Sequence, residues 1–185
     1  MKRRWYDLNY PGPYLLYLVH FHGDRDYFEC HEVLEEYWKK VAPGERESHW
    51  VGLIQIAVSF YHYRRKNMKG ALKTMKKAVS ILGKKSLEIK KLGINHAELL
   101  LLLSETINRM ENRSEYESID LPITDPGLME ACKNMCSERG FTWCSKSDLA
   151  NPQLVNRHSL RDRTDVILER YHQLSLRHGG NARKI

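Results

Sequence analysis

Histidine and glutamate side chains gather in one short segment, YFECHEVLEEYW at 27–38. His31, Glu32 and Glu35 stand there among aromatic and aliphatic residues, where a charged group needs a partner because burying an unpaired charge is costly. Imidazole and carboxylate groups also bind divalent metals, and a carboxylate beside a metal-bound water can act as a general base. The segment therefore predicts either a polar network that holds two helices in register or a functional site.

The spacing of these residues on a helix sorts them by face. At 100° per residue, His31 and Glu35 lie one turn apart at the edge of a broad apolar arc, with Glu32 beside them. Glu29 falls on the opposite, wetter side. We expect His31, Glu35 and Glu32 to occupy the boundary of a buried core.

A second polar stripe lies further along the chain, where every third or fourth residue is small or polar. If this stripe faces the first helix, Gln55 and His62 would meet the histidine and the two carboxylates. The stripe consists of Gly52, Gln55, Ser59 and His62. The polar cluster expected from both segments is Glu29, His31, Glu32, Glu35, Gln55 and His62.

Three interpretations of this cluster remain open. The first is a satisfied buried hydrogen-bond network in a non-catalytic binding or scaffold protein. The second is a metal-dependent hydrolase, with His31, Glu35 and His62 as ligands of a divalent metal and Glu32 as the general base. The third is a metal-free pocket for a small ligand. Residue types favour the first, because the chain has no His-Glu-x-x-His motif.

Basic residues crowd the interval 64–91, which holds eleven lysines and arginines against one acid, in a chain of net charge +7. Such a surface could bind nucleic acid or another anionic partner, and the adaptor alternative would begin with Arg64, Arg65, Lys66 and Lys69. The interval contains no aromatic residue for base stacking, so a solvated helix face is the favoured interpretation.

Apolar periodicity predicts an all-α fold, a compact orthogonal bundle of about five helices over residues 1–112. The leucine run at 99–103 predicts that its helix is the most buried one. A polar connector and a C-terminal helical extension would occupy 113–185, with helices near 128–138 and 160–176, an irregular stretch at 145–156 and a disordered end.

The cellular setting follows from cysteines and hydropathy. The four cysteines and the polar, aromatic start of the chain predict a reduced, cytoplasmic protein rather than a disulfide scaffold. The longest apolar run is far shorter than the roughly 20 residues that span a bilayer, so no membrane association is expected. An unknown protein partner and a homo-oligomer both remain open.

Three segments together resemble one family: FHGDRDYFECHEVLEEYW at 21–38, GLIQIAVSFYHYRRKNMKGA at 52–71 and HSLRDRTDVILER at 158–170. The chain resembles the bacterial and archaeal family known as domain of unknown function 309. The resemblance implies a small all-helical fold, related to the helical domain that follows the catalytic domain of some hyaluronidases, and it implies no established activity.

The family pattern matches this chain residue by residue in its first two segments. The matching positions are Tyr27, Phe28, Glu29, His31, Glu32, Glu35 and Trp38, followed by Gln55, His62, Asn67, Gly70 and Ala71. Gly23 lies four residues before Tyr27, a longer spacing than in many members. From about residue 112 the chain resembles only a narrower group of Gram-positive relatives.

Overall fold

Helices account for the regular structure of residues 9–157, which are the residues that the computed structural model describes. They are α1 (Gly12–His22), α2 (Tyr27–Val41), α3 (His49–Arg64), α4 (Met68–Leu82), α5 (Ser86–Lys91), α6 (His96–Glu111), α7 (Pro126–Glu138) and α8 (Pro152–Val155). This range contains no strand, only an isolated bridge between Ile94 and Ile123. The all-α prediction is confirmed, whereas the helix expected at 160–176 lies outside the described residues.

Side-chain caps set where most of these helices begin. Asp26 accepts a hydrogen bond from the Glu29 amide at the start of α2, and Ser48 accepts one from the Trp50 amide at the start of α3. Asn67, Asn95 and Asp125 cap α4, α6 and α7 in the same way. Each cap satisfies an amide that would otherwise lack a partner, so short polar residues define the helix starts.

α3 is the central helix, because it packs against both α2 and α4. It is apolar nearly all the way round, as expected for a helix enclosed by others. The prediction that the leucine-rich helix would be the most buried is wrong. α6 buries Leu99 and Leu103 against α4, but Leu101 remains 60% exposed. No helix in the described range is long and apolar enough to cross a membrane.

Aromatic rings fill the space between α1, α2 and α3. Phe21, Tyr27 and Phe60 form a triangle with ring centroids 5.4–5.9 Å apart. Tyr116, from the segment after α6, places its ring 6.3 Å from that of Phe60, and its hydroxyl lies 2.7 Å from the hydroxyl of Tyr27. Tyr27 is thereby fixed at the start of α2.

The segment after residue 113 contributes to this same core. Its buried apolar residues are Ile119, Leu121, Leu128, Cys132, Met135 and Cys136. α7 lies against α1, and the Asn95 amide donates to the Pro122 carbonyl. The short helix α8 falls inside the stretch expected to be irregular.

Two buried arginines join this segment to the helices. Arg25 is 2% exposed and donates to the carbonyls of Phe21, Ile119 and Ser145 and to Asp120. Arg64 donates to the Arg25 carbonyl at 2.8 Å and to the Leu154 carbonyl at 2.9 Å. The turn between α1 and α2 is therefore tied to residues 119–154 by hydrogen bonds from two guanidinium groups.

Candidate functional site

A pocket of about 340 Å³ opens between α2 and α3. It is lined by Tyr27, Phe28 and His31 from α2, by Val58, Tyr61 and His62 from α3, and by Arg65 just beyond α3. Both histidines singled out in the sequence therefore face one cavity. Its walls are mainly aromatic and aliphatic, with a few polar groups at the edge, as is usual for small-molecule sites.

The α2 wall owes its position to the Asp26 cap. Because α2 begins at Tyr27, the residues Tyr27, Phe28 and His31 lie on one face at the first turn of the helix. Tyr27 and Phe28 are buried, and the Phe28 and His31 ring centroids lie 6.4 Å apart. Burial raises the pKa of Tyr27 well above its ordinary value, so its hydroxyl stays neutral.

The α3 wall follows helical spacing, since Tyr61, His62 and Arg65 lie three, four and seven residues after Val58. The Arg65 guanidinium carbon lies 5.2 Å from the centre of the Tyr61 ring. Arg65 donates from Nη1 to the Tyr61 hydroxyl at 3.3 Å and from Nε to Oδ1 of Asn156 at 3.1 Å. Its guanidinium is thus held over the ring beside the pocket.

His62 is positioned from the start of α4. Nδ2 of Asn67 lies 3.1 Å from Nδ1 of His62, and Oδ1 of Asn67 accepts from the Gly70 amide at 3.0 Å. Gly70 leaves room for this contact, because a Cβ at that position would lie 3.0 Å from Cγ of His62 and 2.8 Å from Nδ2 of Asn67. The ring is therefore fixed between α3 and the cap of α4.

Two carboxylates flank the other histidine. Nδ1 of His31 donates to Oε1 of Glu32 at 3.0 Å, while Nε2 lies 3.6 Å from Oε2 of Glu35. Donor atoms of the three residues lie within 4.8 Å of one another, which makes them a candidate cation site. Nζ of Lys39 also lies 3.3 Å from Oε1 of Glu35.

This cluster is half-buried at the edge of the core, which corrects the expectation of a buried network. The side chains of His31, Glu32 and Glu35 keep 30%, 33% and 34% of their surface exposed. Because water reaches all three groups, their mutual attraction contributes little to folding. They border the pocket and do not lock two helices together.

The second polar stripe faces α4 rather than α2. A Cβ at Gly52 would lie 2.4 Å from Cδ2 of Leu82, and Ser59 donates to the Ala71 carbonyl at 2.7 Å. Gln55, half-buried on α3, does not line the pocket. Of this stripe, His62 alone lines the cavity, at the junction of α2, α3 and α4.

Glu29 belongs to a different contact. Its carboxylate lies 3.4 Å from Nη2 of Arg157, on the side where Arg157 also pairs with Asp26. Asp26 and Arg157 line a larger cavity of about 630 Å³ between the α1–α2 turn and residues 140–157. Asp26 and Arg157 compensate each other's charge there.

The basic residues of the interval 64–91 are partly exposed to solvent and partly buried. Lys66 and Lys69 are exposed, as expected, but Lys76, Lys84 and Lys85 pair with Glu111, Glu47 and Glu88. Arg64 is only 6% exposed, so its assignment to an anion-binding surface is wrong. Nucleic-acid binding by this face stays a prediction.

Sequence reasoning missed Arg25 and assigned buried Arg64 to the surface. Arg64 lies 4.9 Å from the Tyr27 ring centre, and its Nε has no hydrogen-bond partner among the described residues. Burial lowers the pKa of Arg64. A helical wheel indicates that Arg64 is buried, because it shares one face of α3 with Ala57 and Phe60. Arg25 has no such signal, as it lies in a turn with φ of 58°.

Comparison with known proteins places this site within a family. The family described as "Domain of unknown function (DUF309)" matches residues 14–74, a range that includes every described residue that lines the pocket. "Uncharacterized protein YpuF" of Bacillus subtilis (strain 168) is 47% identical over 168 residues, which cover 91% of this chain and 97% of the relative. No solved structure matches significantly.

Proposed function

This chain belongs to the domain of unknown function 309 family, and we propose that it is a cytoplasmic, non-catalytic binding protein whose ligand enters the pocket between α2 and α3. The observation that carries the proposal is the convergence of His31, His62 and Arg65 on one mainly apolar cavity of about 340 Å³. Pockets that bind small molecules combine such walls with a few convergent polar groups.

The walls of the pocket are already rigid, which supports binding without a large conformational change. Tyr27 is held by Tyr116 and by the guanidinium of Arg64 above its ring. On the opposite wall, Asn67 and Gly70 hold His62. A prearranged site orders fewer groups when its ligand arrives, and this improves affinity.

A non-catalytic role agrees with the state of the nearby thiol. Burial raises the pKa of Cys30 well above its ordinary value, so the thiol stays protonated. A protonated thiol is a poor nucleophile. Adjacent residues of a helix also point in different directions, so His31 is badly placed to accept a proton from Cys30.

Filling the cavity tests the proposal. We would titrate the ¹⁵N-labelled protein with benzoate, benzamide and benzylamine, and repeat the titrations with Val58→Trp and with Val41→Trp as the control. Val58 lines the pocket, whereas Val41 is exposed at the end of α2. At least one probe should shift amide signals around the pocket, and Val58→Trp alone should abolish those shifts. Shifts that survive Val58→Trp, or no shifts at millimolar probe, would contradict a binding pocket.

The second candidate function is binding of a divalent cation by His31, Glu32 and Glu35, favoured by the 4.8 Å span of their donor atoms. When His31 donates from Nδ1 to Glu32, its Nε2 carries no hydrogen, and the Nε2 lone pair is directed toward Glu35. Oε1 of Glu32 would then orient the imidazole, as carboxylates commonly do for metal-binding histidines, and its second oxygen would be the one available to the cation.

The metal content of the purified protein tests whether this cation site exists. Untagged protein purified without chelator should contain near-stoichiometric zinc, manganese or iron that is lost in His31→Ala and retained in the control Glu36→Gln. Glu36 is exposed on the same helix and pairs with Lys40. Protein that is purified without metal, and that also fails to take up added Zn²⁺ or Mn²⁺, would exclude the cation site.

A further inference from the structure

We propose that residues 158–176 of the same chain dock over the pocket between α2 and α3 and compete with its ligand. The docking follows from the place where the described chain ends and from the apolar pattern of the segment that comes next. The competition rests on the proposed function, because it requires that the pocket binds a ligand. Docking and competition therefore need separate measurements.

The described chain ends beside the α2 wall of the pocket. Its last residue, Arg157, pairs with Asp26, and Nη2 of Arg157 lies 3.4 Å from Oε2 of Glu29 in the first turn of α2. Glu29 directly follows Phe28, which lines the pocket. Residues 158–176 therefore begin next to this wall.

The α3 wall contacts the same stretch of chain. Nε of Arg65, which lines the pocket, donates to Oδ1 of Asn156 at 3.1 Å. One residue earlier, Arg64 donates from Nη2 to the Leu154 carbonyl at 2.9 Å. Residues 154–157 thus contact α2 and the end of α3, the two helices that form the pocket.

This attachment keeps the following segment concentrated near the pocket. A binding group that is joined through a short linker behaves as though it were present at millimolar concentration. A weak apolar contact with the pocket is then populated for much of the time. A separate ligand molecule has to compete with a segment that is always near.

The sequence of the segment suits an apolar cavity. Residues 160–176 lie outside the described part of the chain, and their periodicity predicts a helix with Ile167, Tyr171 and Leu174 on one side. Such a stripe needs an apolar surface to cover it, and the aromatic and aliphatic walls of the pocket provide one. A helix rises 1.5 Å per residue, so Ile167 would lie about 15 Å beyond Arg157, within reach of the pocket.

The charges on the two sides also match. Residues 157–163 contain three arginines and one aspartate. On α2, Glu29 already meets Arg157, and Glu32 follows one turn later at the border of the pocket. Because these groups are partly exposed, their attraction orients the segment more than it strengthens the contact.

The docking is tested in the full chain by a charge placed in the apolar stripe. Ile167→Asp adds this charge, and the control Gln173→Asp adds the same charge on the other side of the predicted helix. In ¹H–¹⁵N spectra, Ile167→Asp should shift the amide signals of Phe28, Val58 and Tyr61, and Gln173→Asp should leave them in place. Unchanged signals in Ile167→Asp, or equal shifts in both variants, would overturn the docking.

Dilution of the wild-type protein distinguishes this chain's own pocket from that of a second copy. A segment that docks on its own pocket gives the same amide signals at every protein concentration. Pocket signals that move on dilution would assign the contact to a second copy of the chain, and this would overturn the proposal.

The competition is measured by titrating benzoate, benzamide and benzylamine into the wild type and both variants. A docked segment raises the apparent Kd of a probe, because only the open fraction of the pocket can bind it. We expect Ile167→Asp to bind the best probe about fivefold more tightly than the wild type does, and Gln173→Asp to match the wild type. Equal affinities in all three proteins would refute the competition. If no probe binds even to Ile167→Asp, the proposed function fails, whereas the docking is decided by the amide shifts alone.

Discussion

The side-chain nitrogen Nδ2 of Asn67 lies 3.1 Å from Nδ1 of His62. The same asparagine caps α4 through its oxygen. A helix cap therefore dictates the hydrogen-bond role of a pocket residue five positions earlier in the chain. The start of α4 and the chemistry of the pocket depend on one side chain.

Asn67→Asp should change the protonation of His62 without removing the cap. One carboxylate oxygen can still accept from Gly70, but the other would face Nδ1 as an acceptor, so Nδ1 must carry a hydrogen. Long-range ¹H–¹⁵N NMR near pH 8 should show an unprotonated Nδ1 in the wild type and a protonated one in the variant. The control is Asn95→Asp, the same change at the cap of α6. A protonated Nδ1 in the wild type would contradict the assignment.

Caps and apolar periodicity were enough to predict most of the helices. They did not predict the partners of α3, because a helix that is apolar all round does not indicate which face meets which neighbour. The polar stripe was therefore expected against α2, although Gly52 and Ser59 face α4. His62 was found as a candidate, but its contact with Asn67 crosses a helix boundary, where periodicity carries no information.

Gly52→Ala tests the packing of α3 against α4. A Cβ at this position would lie 2.4 Å from Cδ2 of buried Leu82, so we expect a loss of about 1–3 kcal/mol in the free energy of unfolding. Gly12→Ala is the control, since no atom lies within 4 Å of its Cβ. Urea unfolding should show that the control is neutral or slightly stabilising. Equal effects of the two changes would mean that the close approach is absent.

His22 should make stability fall at mildly acidic pH. Burial is the main cause that lowers the pKa of His22 to about 4. The hydrogen bond from Nδ1 to the Leu18 carbonyl raises this pKa, and the positive charge of Arg25 lowers it further. Nε2 accepts from the Leu121 amide, and protonation would break this bond. Because the folded pKa lies below the unfolded value of about 6.5, the stabilising contribution is complete above pH 6.5 and is lost between pH 6.5 and 4, by roughly 3 kcal/mol.

The measurement for His22 is urea unfolding of the wild type and His22→Gln at pH 7.5 and pH 4.5. The wild type should lose more stability over this range than the variant, which has no imidazole to protonate. If both proteins show the same dependence on pH, the contribution of His22 is refuted.

Arg25→Met should destabilise the protein by about 3–5 kcal/mol, because the carbonyls of Phe21, Ile119 and Ser145 would lose their donor inside the structure. Arg46→Met, at an exposed position, should change stability by less than about 0.5 kcal/mol. Chemical denaturation followed by circular dichroism gives both values. A loss of about 1 kcal/mol or less for Arg25→Met would show that this arginine does not hold residues 119–145 in place.

Arg25 also illustrates what sequence cannot reveal about this fold. A charged residue between two aspartates reads as an exposed turn, yet it is 2% exposed and adopts φ of 58°. Three of the four residues that accept its hydrogen bonds lie about 100 positions later. Local patterns contain no trace of such contacts, and for this reason Arg25 was missed.

The most direct test of the ligand site is a crystal structure of the protein with bound benzoate. We expect the benzoate ring to lie between Phe28 and Val58, in the pocket between α2 and α3. Benzoate bound elsewhere, or an empty pocket in crystals grown at millimolar benzoate, would contradict this expectation.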